Sequence, residues 1–334
     1  MTEEAKDQKN TTETTEPKES VTSSDSPAPA SNSPQFLEPV GLIEAFKLRH
    51  SVRTFQKKPF PQQKKQMIAQ IITEANSLDT PFQSDGVEIS VTGPGLGRMG
   101  AVSNEAGFIV QKIPLNQEQQ EEGSNTEKPK EDPKILFRKS IIDVSFKLQV
   151  AVMRMTQHHI STVWMGGTYN EGEAEERFPD FKVTAVVAFG EEDTPHLMAK
   201  FLKFIGGSDK RLPFQQLFYD NDNKRAITEN DFEENKPEGT PSYPSYMKDF
   251  LLSLRSGPSA LNQQGWRFVL SGKEVHLFDA KGNAYSCYGS GIALANLHLL
   301  GEIRGGSCTI EVRNPAPEPS PLGGTYIATA VYTE

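Results

Sequence analysis

Along this chain helical and strand periodicities follow one another without the regular strand–helix–strand alternation of a doubly wound sheet. The pattern therefore predicts an α+β fold, with a mixed or antiparallel sheet flanked by helices. Residues 40–50 read as a short helix. Residues 62–77 carry Met67, Ile68, Ile71, Ile72 and Ala75 at helical spacing, with Pro61 suited to the first turn. The run 87–91 alternates like a strand, and 106–113 reads as another. The longest helical pattern is 138–160, and the segment 161–170 ends it with a glycine pair. An apolar run at 183–189, closed by Gly190, predicts a buried strand. Further on come a helix at 244–255, strands at 266–270 and 275–279, a helix at 289–303, and strands at 308–313 and 325–332. Ser271-Gly272-Lys273 between two alternating runs is a hairpin signal. No short-period repeat is visible.

Three stretches stand outside this pattern. Residues 1–36 consist largely of Thr, Ser, Glu, Lys, Pro and Ala, too few apolar groups to offset chain entropy, and read as a disordered acidic tail. The tail has no apolar h-region and no arginine, so it resembles neither a signal nor a transit peptide. Its Asn10-Thr11-Thr12 sequon has no secretory signal beside it. Residues 116–133 read as a polar insertion and 220–243 as a polar linker. The ordered chain then divides into a first half, 37–219, and a second half, 244–334. With 35 Lys+Arg against 44 Asp+Glu, the net charge of −9 argues against a nucleic-acid partner. No apolar run approaches the ~18–20 residues of a membrane helix. Cys287 and Cys308 support neither a disulfide framework nor a zinc site, and the expected location is a reducing cytoplasm.

Gly95-Leu96-Gly97-Arg98-Met99-Gly100 fits the dinucleotide fingerprint GxGxxG and follows a strand. What comes after it reads as turn and strand, so a loop between antiparallel strands is the better reading. His158 and His159 diverge by ~100° on a helix and cannot share a metal. His298, inside an apolar helix, reads as a hydrogen-bonded core residue. Three segments are richer. In Arg49-His50-Ser51-Val52-Arg53-Thr54-Phe55 two guanidiniums and a hydroxyl follow a short helix. Such a cluster is a solvated basic turn or an anion site. Residues 255–268 form a loop of small and amide side chains leading into a strand, open to a flat ligand. The third is Ser161–Asn170, with Gly166 and Gly167.

At these segments the chain resembles the FMN-dependent nitroreductases. "RHSVRTF" looks like that family's opening flavin motif. "PSALNQQGWRF" is similar to its Pro-Ser-Ser/Ala-x-Asn-x-Gln-Pro-Trp loop, and "KRLPFQQLF" to its basic phosphate segment. "STVWMGGTYN" resembles the end of the central helix in the fused branch, where two halves of one chain imitate a dimer. Gly265 in place of Pro, Val163 in place of Cys, and Ser290 in place of an acidic residue depart from the pattern and bear on turnover more than on fold.

The resemblance implies an FMN-dependent NAD(P)H oxidoreductase acting on nitro- or quinone-type small-molecule acceptors by ping-pong hydride transfer, with NADH or NADPH as reductant. It implies a cytoplasmic monomer with one cofactor site and no side-chain general acid. The implied flavin residues are Arg49, His50, Ser51, Arg53, Met165, Gly166, Gly167, Lys210, Arg211, Pro258, Ser259 and Asn262. Ser51, Lys210 and Arg211 would hold the phosphate. Arg49 and Arg53 would share the phosphate and the N1/O2 edge, and Gly166 or Gly167 would face N5. The alternatives are a flavin-binding or sensory module of the same fold without turnover, and a non-flavin interaction protein in which these loops are turns.

Overall fold

Asp132 caps the longest helix among the described residues. Its carboxylate accepts from Lys134 N at 2.8 Å and Pro133 takes the first helical position, so the helix begins well before the apolar periodicity does. In the computed structural model, which describes residues 37–98, 100–115, 131–193, 211–236 and 238–333, this helix runs Pro133–Gln157 and is α3. The insertion expected at 116–133 therefore gives its last residue to a helix. Residues 116–130, the tail at 1–36 and Lys210 lie outside the described residues.

Before α3 come α1 (Leu42–Leu48), α2 (Gln62–Asn76), β1 (Glu88–Thr92) and β2 (Gly107–Pro114). After it come β3 (Ser161–Met165), α4 (Glu171–Arg177) and β4 (Phe181–Gly190). The expectation that 161–170 forms the end of the long helix is corrected. The helix stops at His158, and His159 has a φ of 56°, a left-handed step that no helix continues through. Thr162 and Val163 then favour the extended chain, and Ser161–Met165 pairs antiparallel with β4.

The rest of the chain is α5 (Phe214–Leu217), β5 (Phe218–Asp220), β6 (Arg225–Ala226), α6 (Met247–Arg255), β7 (Trp266–Ser271), β8 (Glu274–Asp279), α7 (Ser286–Leu299), β9 (Ser307–Glu311) and β10 (Thr325–Thr333). The stretch expected as a linker contains β6 and a 3-10 turn whose Asp231 is buried, and Ile227 is fully buried beside it. Four strands form one sheet in the order β1-β2-β4-β3, and six form another in the order β6-β5-β7-β8-β10-β9. All pairings are antiparallel except β5 with β7.

The order β7-β8-β10-β9 repeats β1-β2-β4-β3, and in each set a helix joins the second strand to the third in sequence. Those two helices, α3 and α7, pack against each other. Gly291 meets Ile142 and Phe146, Asn296 meets Gln149, and His298 meets Phe146. Of the 14 residues of α7, 12 are buried, as expected of a helix that is apolar all round. The main core wraps this helix pair, while Val52, Phe55, Leu96, Met165 and Tyr169 belong to a second core on the far face of the first sheet. From Leu37 onward the described residues form one unit. Among them no helix is long and apolar enough to cross a membrane, and no group of three or more His, Cys, Asp or Glu is placed to hold a metal.

Candidate functional site

After α1 the chain becomes extended. Ser51 bridges to Thr162, and Thr54 to Ser103. Val52 and Phe55 enter the second core, to which Arg49, Ser51 and Arg53 do not belong. Arg49 is buried, and its Nη2 donates to Ser256 O at 3.2 Å. Arg211 reaches the same place from the far side of the chain, donating to Gly257 O at 2.7 Å and Ser256 O at 3.1 Å. Both carbonyls follow α6, so the two cations stand at the negative end of that helix. Neither guanidinium has a carboxylate partner among the described residues. Arg255 beside them pairs with Glu229 at 2.9 Å.

Burial, and then the Arg211 charge, push the Arg49 pKa down to about 10. Burial, and then Arg255, lower that of Arg211. Arg49 Nε is buried with no hydrogen-bond partner. An orphaned donor of this kind costs about 1–3 kcal/mol, which helix capping alone does not offset. The arrangement fits an anion, which would relieve the mutual repulsion of Arg49 and Arg211 and satisfy the free N–H.

The loop after Gly257 is strained and held by side-chain hydrogen bonds. Leu261, Asn262 and Gln264 have φ of 51°, 54° and 47°, left-handed values unusual for residues other than glycine. Gln264, buried, holds the loop: its Oε1 accepts from Leu212 N at 2.9 Å, and its Nε2 donates to Asn262 O at 3.2 Å. Ser259 Oγ accepts from Gln264 N at 3.1 Å. Asn262 is exposed, Pro258 and Ser259 are half-buried, and Leu261 is 84% exposed. Gly166 and Gly167 are exposed, and a Cβ on either would meet nothing within 4 Å.

The implied residues do not all converge. Arg53 is exposed, and Nη1 donates to Ala101 O at 3.4 Å, away from the Arg49–Arg211 pair. Ser51 is exposed. The His50 ring is committed to Leu48 O at 2.8 Å and to Glu192 at 3.2 Å. Met165 points into the second core and offers only its backbone. The GxGxxG segment lies, as expected, in a loop between antiparallel strands. Gly95 and Gly100 serve turns with positive φ, and a Cβ on Gly97 would come within 2.6 Å of Val102. This loop nevertheless borders the site, since Arg98 N donates to Thr168 O at 3.0 Å and Ser103 N to Arg53 O at 2.9 Å. Its place there, and the holding role of Gln264, were not anticipated. Gln264 stands inside the quoted loop motif, but the fold that buries its amide is not a local property.

A solved structure of a "putative nitroreductase" from Thermotoga maritima is 19% identical, covers 88% of this chain and 95% of its own, and superposes with a TM-score of 0.52. The architecture is thus the nitroreductase-like α+β fold. Residues 136–300 match the family model described as "Putative TM nitroreductase". A protein from Exiguobacterium sibiricum described in the same words, in complex with FMN, is 13% identical over 48% of this chain and 92% of its own, with a TM-score of 0.38. An NADPH:FMN oxidoreductase from Vibrio harveyi is 17% identical over 46% of this chain and 69% of its own, with a TM-score of 0.37. No curated protein sequence matches.

Proposed function

We propose that this chain is an FMN-dependent oxidoreductase whose single flavin site lies between the Arg49–Arg53 run, the Gly166–Gly167 turn and the 256–264 loop. The carrying observation is the buried Arg49–Arg211 pair on the Ser256 carbonyl, with no carboxylate partner among the described residues and with Arg49 Nε unpaired. Arg49 and Arg211 hold the phosphate end, with Ser51 adding a hydroxyl and Lys210 standing just before Arg211 in sequence. Alternate residues of an extended run lie roughly 6–7 Å apart, so Arg53 stands roughly 13 Å along the chain from Arg49. That span lets Arg53 serve the ring end, where a fixed cation favours the reduced, anionic form. Gly166 and Gly167 present backbone N–H groups without side chains in the way, with Met165 and His50 supplying backbone only. Pro258, Ser259 and Asn262 cover the opposite edge.

Bound FMN would supply hydride transfer from NADH or NADPH to a nitro- or quinone-type acceptor. The repeated strand order supports the reading that residues before and after the 220s imitate two subunits, with the first half giving the arginines and the second the loop. Purified protein should be yellow, and should oxidise NADH or NADPH only when such an acceptor is present. Colourless protein that takes up no added FMN would refute the assignment. Bound flavin without turnover would leave the binding-module reading.

A further inference from the structure

Asn296 is wholly buried on the apolar helix α7, yet its Nδ2 has no hydrogen-bond partner. A leucine there would fill the space without stranding a donor. Its Oδ1 accepts from Gln149 Nε2 at 3.0 Å, across the contact of α3 with α7. Gln149, also wholly buried, accepts through Oε1 from Trp164 Nε1 at 3.2 Å. Trp164 belongs to β3, which leads directly into Gly166 and Gly167. At the other end, a Cβ on Gly257 would lie 3.2 Å from Asn296 Nδ2, so the turn that receives Arg49 and Arg211 rests on this amide. Three side chains thus join one wall of the cleft to the other through the centre of the helix pair.

We propose that Gln149 and Asn296 are positioning residues for the cleft, setting the spacing between the Gly166–Gly167 turn and the Ser256–Gly257 turn. The inference rests on the reading of that cleft as a flavin site. Apolar contacts between two helices tolerate small rotations and slides. A directional amide–amide bond selects one setting, the best-attested use of a buried polar pair. Because α3 continues into β3 and α7 packs beneath Gly257, one setting of the helices is one setting of the walls.

The test uses the full chain with Trp164→Phe and Asn296→Leu, singly and combined. FMN affinity, flavin midpoint potential and thermal midpoint are read on the same samples. Each single substitution should weaken FMN about five- to tenfold and shift the potential. The double variant should be no worse than the weaker-binding single, because the chain is already cut. Effects that multiply in the double variant, or singles whose affinity and potential match the wild type, overturn the proposal. If Asn296→Leu does not fold, Trp164→Phe at its half-buried position decides alone: unchanged affinity and potential overturn the proposal. A wild type that takes up no FMN removes the flavin reading and this inference together. A wild type that binds FMN, with variants indistinguishable from it, removes the positioning role alone.

Discussion

Arg49 keeps its charge where burial and a second guanidinium both oppose it, while Arg53, four residues further along the same extended run, stays at the surface against a loop carbonyl. The two should therefore respond differently to substitution. Arg49→Ala removes a charge-assisted contact worth about 1.5–3 kcal/mol and should weaken FMN roughly tenfold or more, with riboflavin, which lacks the phosphate, affected far less. Arg53→Ala should weaken both ligands alike. Equal, unchanged affinities in titrations of both variants would return the segment to a solvated basic turn. Leu261 gives a second expectation at this scale. A left-handed leucine, 84% exposed, carries strain with no packing in return. Leu261→Gly should raise stability by about 1 kcal/mol, seen as a thermal midpoint higher by roughly 2–4 °C. A lower midpoint would mean the side chain packs in solution.

Secondary elements were legible wherever the signal is local. The helix at 62–77, the 271–273 hairpin and the apolar strand at 183–189 follow from periodicity and turn chemistry, and they stand almost where expected. The start of α3 was missed because its cap, Asp132-Pro133, sits at the end of a polar run. β3 was missed because a short strand after a helix has too few residues to show a period of two. The close approach of α3 and α7 depends on Gly291, where a Cβ would lie 2.3 Å from Ile142 O. Gly291→Ala should destabilise by about 1–3 kcal/mol, measured by denaturant unfolding, and a neutral result would mean that the helices separate freely.

His298 joins α7 to β9 through a 3.0 Å contact with Cys308 O, and burial lowers its pKa below the ordinary histidine value. The unfolded chain then takes up a proton that the folded one resists. Its contribution is present above about pH 6.5 and is lost as pH falls through the lowered folded pKa. His298→Asn should flatten that limb of the stability curve relative to the wild type, in which His158 and His276 shift the same way. An unchanged slope would contradict it.

Across the whole molecule, the α+β class was legible from the pattern of elements, and the repeat was not. The two sets of four strands share an order and a helix position, which are properties of connection rather than of sequence period. The site was legible as separate segments, because each keeps a recognisable local pattern. The meeting of Arg49 with Ser256, 207 positions apart, was not, since no local rule joins them. If each half supplies one wall, the chain alone is complete. Flavin content measured against chain concentration, with molecular mass from sedimentation on the same sample, tests this most directly. The account predicts one FMN per chain in a monomer. Stoichiometric flavin held only by a dimer, or two flavins per chain, would contradict it.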